Sequence, residues 1–163
     1  MATQTLIQYL ESEQFSAFPG GAATPIGLDS MNRRQEETFL AGATVAVGDA
    51  VSLDLSAANA GLRAITVVSA NDGAAATNIP VGVVLGSAES DGALTAGSKI
   101  RVCVRGLCGA KVVGSAAGDV LTTSALNGEA VTTAAATEPR FAQALEAAVA
   151  LPGLTAVYVT GRF

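Results

Sequence analysis

One β-rich unit is written twice along this chain, and an internal repeat constrains the fold more firmly than any single motif. The first copy reads Gly48-Asp49-Ala50-Val51, then Pro80-Val81-Gly82-Val83-Val84-Leu85-Gly86-Ser87-Ala88-Glu89, then Ile100-Arg101-Val102-Cys103-Val104-Arg105-Gly106. The second reads Gly118-Asp119-Val120-Leu121, then Pro139-Arg140-Phe141-Ala142-Gln143-Ala144-Leu145-Glu146-Ala147-Ala148, then Thr155-Ala156-Val157-Tyr158-Val159-Thr160-Gly161. Each copy passes from a Gly-Asp turn into a strand, through a Pro-led apolar run carrying a Leu, to an alternating strand closed by Gly. Two matched halves of this kind predict an all-β, pseudo-symmetric sheet or barrel, with repeats over about 41–106 and 110–163.

The chain has 163 residues, half of them hydrophobic, with 18 glycines and few aromatics. That length suffices to bury roughly 68–70% of the unfolded surface without a disulfide or metal. An excess of Ala and Val with frequent Gly favours short strands and tight turns over a helical bundle. The longest apolar stretches are interrupted well before the ~20 residues that span a bilayer as a helix, so no membrane partner is expected. At the N-terminus Gln4, Gln8, Glu11 and Glu13 break up what a signal peptide would keep apolar; synthesis and assembly in a cytoplasm are expected.

Net charge is −5, with nine Lys and Arg against fourteen Asp and Glu. Phosphate backbones are held by clustered cations. Here the only groupings are Arg33-Arg34 and the alternating Arg101 and Arg105, so nucleic-acid binding is not expected. Arg33-Arg34 precedes Glu36-Glu37 with only Gln35 between them, which reads as a solvated mixed-charge segment or as an ion-pairing contact with a partner surface.

Residues 1–40 lack sustained period-2 alternation yet hold Tyr9, Phe15, Phe18 and Phe39, most of the aromatics. Leu6, Tyr9 and Leu10 would share one face of a short helix ended by Phe18-Pro19-Gly20-Gly21. Such a segment either packs back on its own domain or forms an extended arm that orders against another chain. The arm reading is preferred, because so long a stretch without period is unusual inside a compact domain.

From residue 41 strand signals become regular. Ala43-Thr44-Val45-Ala46-Val47 leads into Gly48-Asp49, and Val51, Leu53 and Leu55 alternate with Ser52 and Asp54. Residues 62–68 read as a further strand, and Asn71-Asp72-Gly73 as a turn before a loop over 74–78. Asn127-Gly128, between Leu121-Thr122-Thr123 and Val131-Thr132-Thr133, is a local hairpin signal. For residues 139–149 propensity favours helix while the repeat favours strand; the strand is chosen.

No His is present, which removes Ser-His and Cys-His nucleophile pairs and His-based metal sites. A Ser-Lys pair drawn from Ser98, Ser115, Lys99 and Lys111 is conceivable, but Ser98 and Lys99 are strand neighbours whose side chains diverge. Asp49 and Asp119 follow Gly at strand starts, where turn hydrogen bonds explain them better than acid–base chemistry or a cation. Gly82, Gly86, Gly92 and Gly97 fit neither dinucleotide nor P-loop spacing. Cys103 and Cys108 read as two reduced, half-buried thiols. No catalytic residue, metal or cofactor is expected.

The order of these motifs resembles the small capsid cement or decoration proteins of tailed bacteriophages. The resemblance is carried by Gly-Asp-x-Val at 48–51, Pro-Val-Gly-Val-Val-Leu at 80–85, the strand ending at Gly106, Ala-Gly-Asp-Val-Leu at 117–121, the Asn-Gly hairpin, Ala-Leu-Glu-Ala-Ala at 144–148 and the last Val-x-Val strand. It covers about residues 40–163 and implies a small β-barrel or β-sandwich, assembled as a homotrimer on the outer face of an icosahedral shell and bound to major capsid protein. The extension of about forty residues departs from the family core, so its docking is not carried over. On the present sequence the arm residues expected to grip major capsid protein are Leu6, Tyr9, Phe15, Phe18, Arg33, Arg34 and Phe39. Two other classes remain: a head-fibre or tail-associated module recognising a host surface glycan, against which the absence of Trp counts, and a Ser-Lys hydrolase.

Overall fold

The computed structural model describes residues 34–70, 80–124, 128–133, 140–148 and 154–160. Ten strands form one mixed sheet: β1 Gln35–Ala41, β2 Ala50–Leu53, β3 Thr66–Ser69, β4 Pro80–Ser87, β5 Lys99–Ala110, β6 Val112–Val113, β7 Val120–Thr123, β8 Ala130–Thr132, β9 Ala142–Ala144 and β10 Thr155–Val159. Among the described residues one short helix, α1 (Ala60–Ile65), precedes β3. The fold is all-β, as the repeat predicts.

The first half is a closed ring. β1 runs parallel to β3, β3 antiparallel to β2, β2 to β4 and β4 to β5, and β1 pairs back on β5 from Gln35↔Arg105 to Leu40↔Lys99. Every strand contributes to its interior: Phe39 and Ala41, Val51, Val67, Val81 and Val84, and Ile100, Val102 and Val104. Burying a side chain such as Ile100 contributes about 1.5–3 kcal/mol, and β-branched residues suit such a pleated wall.

The second half repeats this path with the same senses. β6 runs parallel to β8, and β8–β7, β7–β9 and β9–β10 are antiparallel. The part of β1 is taken by the end of β5 together with β6, with Lys111 between them. Cys108↔Val157 and Ala110↔Thr155 reproduce Glu37↔Val102 and Phe39↔Ile100, and Val112↔Ala130 reproduces Ala41↔Val67. β5, 12 residues long, is therefore shared: its first half closes one barrel and its second half opens the next. The strand does not end at Gly106, as its sequence suggests; Gly106 takes φ 104 within it, and pairing with β10 continues to Ala110.

Backbone hydrogen bonds confirm the correspondence. Gly48 N–H donates to Val84 C=O (2.9 Å) and Val84 N–H to Asp49 C=O (2.9 Å), while Gly118 N–H donates to Ala144 C=O (2.8 Å) and Ala144 N–H to Asp119 C=O (2.8 Å). Val84 thus matches Ala144, which shifts the middle segment by one residue from a Pro80–Pro139 alignment and brings Leu85 opposite Leu145.

Three local expectations are settled by these strands. Of residues 139–149 only Ala142–Ala144 are strand, held between β7 and β10; Arg140, Phe141 and residues 145–148 are not, and Pro139 and Val149 lie outside the described residues. β7 and β8 pair antiparallel as the hairpin signal predicts, with Thr123↔Ala130 in register and Gly128 at φ 77, while Asn127 lies outside the described residues. Residues 62–68 are not one strand: the Asn59 side chain caps α1 by accepting Leu62 N–H at 3.0 Å, and helix persists through Ile65 before the β-branched run takes over. The turn at 71–73 and the loop at 74–78 lie outside the described residues. The compact β unit begins at Arg34 rather than near residue 40, since β1 belongs to the first barrel.

Candidate functional site

Of the residues expected to contact a capsid, Leu6, Tyr9, Phe15, Phe18 and Arg33 lie outside the described residues. Arg34 stands at the foot of β1 with its side chain 41% exposed, and its guanidinium meets Glu36 at 2.5 Å; Arg101 reaches the other Glu36 oxygen at 3.7 Å. Exposed pairs of this kind contribute roughly 0.2–1 kcal/mol, so the cluster is available to a partner at little cost. Phe39 must be removed from the set. It pairs in register with Ile100, points into the first barrel and is 8% exposed, because strand alternation turns Phe39 and Ala41 inward and leaves Thr38 at the surface.

The second concentration of polar chemistry is the Gly-Asp turn, present once per barrel. Asp49 Oδ2 accepts Ala46 N–H at 2.8 Å and Ser69 Oγ at 3.4 Å; Asp119 Oδ2 accepts Ala116 N–H at 2.8 Å and Thr132 Oγ1 at 2.9 Å. Ser69 and Thr132 occupy equivalent register positions, opposite Val51 and Leu121. Each aspartate therefore ties its turn to the neighbouring strand. The Ala116 amide and then the Thr132 hydroxyl hold the Asp119 carboxyl below the ordinary aspartate range.

The two turns differ in what covers them. Asp49 is buried, and Lys111 Nζ reaches its Oδ1 at 2.5 Å across the junction between barrels. Leu154 sits so close to Gly48 that an added Cβ there would stand 2.3 Å from Leu154 Cδ2, and one on Gly128 would stand 2.6 Å from Asp49 Cγ. Ala50 N–H donates to Gly128 C=O (2.8 Å) and Gly128 N–H to Ala70 C=O (2.9 Å). At Gly118 an added Cβ would meet nothing within 4 Å, and Gly118 itself is exposed. Both aspartates sit in turns, as their place after Gly predicts; the junction joins residues 62 apart in the chain and leaves no local signal.

Of the other candidate reactive groups, Lys99 is exposed on β5 and the rest are bonded or enclosed. Lys111 is committed to Asp49, and the Ser98 hydroxyl lies 3.3 Å from Thr95 Oγ1. Cys103 and Cys108 are free thiols, and both are buried rather than half-buried. Cys103 Sγ donates to Arg105 C=O at 3.5 Å, while its hydrogen bond with Cys108 and the surrounding burial hold the Cys108 thiol far above the ordinary range, in the unreactive neutral form. Among the described residues no three His, Cys, Asp or Glu side chains converge as a metal site, and no helix is long and apolar enough to cross a membrane. No protein-family model matches the chain, and no curated protein matches it significantly.

Proposed function

We propose that this protein is a structural virion component that decorates and stabilises the outer surface of a phage capsid, binding major capsid protein between capsomers as a homotrimer. The observation that carries the reading is the pair of fused five-stranded barrels, the small-barrel architecture that the resemblance implies, built to present repeated surfaces. Small side chains in both walls allow close strand packing, and the exposed start of β1 with Arg34, Glu36 and Arg101 lies where residues 1–33 join the core. Arm residues Leu6, Tyr9, Phe15, Phe18, Arg33 and Arg34 would supply the contacts, since a few large anchors dominate interface energy. Repetition over a lattice would add avidity. No cofactor, metal, membrane or nucleic acid enters this role.

Co-sedimentation with empty phage heads tests it. The full chain should pellet with heads, and a chain starting at Arg34 should stay folded by circular dichroism yet remain in the supernatant. Phe15→Ala with Phe18→Ala in the full chain should weaken capture at least tenfold. Equal pelleting of the truncated chain would overturn the arm assignment, and failure of the full chain to pellet would overturn the capsid reading.

A further inference from the structure

The exposed face of the second barrel is the structural counterpart of a face that, in the first barrel, is already an interface. Gly48, Asp49, Ala50, Val83 and Cys103 lie on the outer side of the first barrel and are buried, with Ala50, Val83 and Cys103 in the core cluster of the second barrel. Their counterparts by register are Gly118, Asp119, Val120, Gln143 and Tyr158, and these are exposed or half-buried. Leu85 packs against that same core cluster, whereas its counterpart Leu145 is 41% exposed.

The surface that covers the first face has a counterpart too. Lys111 and Leu154 of the second barrel flank Gly48, and an added Cβ at Gly48 would stand 3.5 Å from Lys111 Cγ and 2.3 Å from Leu154 Cδ2. By the register of β1 and β5 their equivalents in the first barrel are Leu40 and Lys99, themselves a cross-strand pair. The Leu and the Lys have exchanged strands, and the pair keeps one apolar and one cationic member. Lys99 is exposed and makes no ion pair among the described residues, and Ile65, at the Gly128 position, is 46% exposed.

We infer that a second copy of this chain docks head to tail on the second barrel, its Leu40, Ile65 and Lys99 set against Gly118, Asp119 and Tyr158 as Lys111 and Leu154 are set against Gly48 and Asp49 within one chain. Charge complementarity between Lys99 and Asp119 and continuity with the internal junction select a second copy as the occupant. Ile65 is bulkier than Gly128, so copies sit farther apart than the two barrels of one chain, a gap that the long Lys99 side chain spans. The contact is heterologous, and it closes when the rotation between copies divides a full turn; three copies would place six barrels about one axis. This direction of assembly rests on the self-association proposed above and is independent of the capsid.

Sedimentation velocity on the full chain, without phage heads, tests it. Wild type should sediment as an oligomer, and Lys99→Asp and Ile65→Asp should each weaken association at least tenfold, while the charge-conserving Lys99→Arg should retain it. Both positions are exposed, and circular dichroism checks that the substitutions leave the fold intact. A monomeric wild type, or an oligomer indifferent to Lys99→Asp and Ile65→Asp, overturns the inference. Failure to pellet with heads in the separate assay would leave it standing and remove only the capsid reading.

Discussion

The first and second barrels follow one path through five strands, yet the same Gly-Asp turn lives in two environments. At Gly48-Asp49 the turn is sealed by Lys111, Gly128 and Leu154; at Gly118-Asp119 it faces outward. The hydrogen bonds inside each turn are nearly the same, so these residues are selected first by the barrel's need to tie a turn to a strand. What differs is the use of the outer face, which becomes core in one copy and surface in the other. A duplicated unit thereby acquires an internal interface without inventing a new turn.

The largest expected contrast is at the two glycines. Gly48 combines φ 87 with contact against Leu154, so Gly48→Ala meets both left-handed strain and overpacking, together about 2–4 kcal/mol. Gly118 has φ 94 in open space, so Gly118→Ala meets strain alone, about 1 kcal/mol. Urea unfolding of the two variants measures the difference. Equal losses would mean that Leu154 yields freely and that the junction is loosely packed.

A smaller contrast belongs to the aspartates. Asp49→Asn leaves Lys111 without its carboxylate at a junction where Lys111 is 28% exposed, and should cost about 1–3 kcal/mol. Asp119→Asn keeps an acceptor for Ala116 and Thr132 and should cost less. Its signature is in the pH dependence. A carboxyl whose native pKa is depressed stabilises the fold fully above the ordinary aspartate value of about 3.9, and that contribution drains away as pH falls through the lower native value. Acid titration of stability should therefore be shallower below about pH 4 in Asp119→Asn than in wild type; identical curves would show that Asp119 does not carry the linkage.

These contrasts also explain how far the fold was legible beforehand. The repeat could be read because Gly-Asp turns, the Asn-Gly hairpin and Val-x-Val alternation are local signals. The sharing of β5 could not, since Gly106 reads as a stop until β10 is known to pair beyond it. Phe39 was assigned to the arm because the polar stretch from Gln35 to Thr38 hides the alternation that turns it inward; only its pairing with Ile100 reveals the barrel wall. Ile65-Thr66-Val67-Val68 drew residues 62–65 into a strand that the Asn59 cap converts to helix. The junction at Asp49 is a tertiary fact: Lys111 is 62 residues away, and nothing near either residue announces the other. Of the seven arm residues expected to contact a capsid, Arg34 and Phe39 fall within the described residues.

The smallest effect concerns a hydroxyl that both barrels bury at the same place. Ser52 on β2 and Thr122 on β7 are register equivalents, opposite Val68 and Val131, and neither oxygen has a hydrogen-bond partner among the described residues. A buried polar group without a partner carries a desolvation penalty, whereas a methyl in its place carries none. Thr122→Val, which keeps the shape, should therefore be neutral or stabilising by up to about 1 kcal/mol, and Ser52→Ala should follow in the same direction with a smaller gain. Chemical denaturation of both variants decides the matter. A loss above about 1 kcal/mol at either site would mean that the hydroxyl is satisfied after all, by water or by a partner chain. A loss at Thr122 alone would place that unseen partner on the second barrel, the copy whose outer face is open.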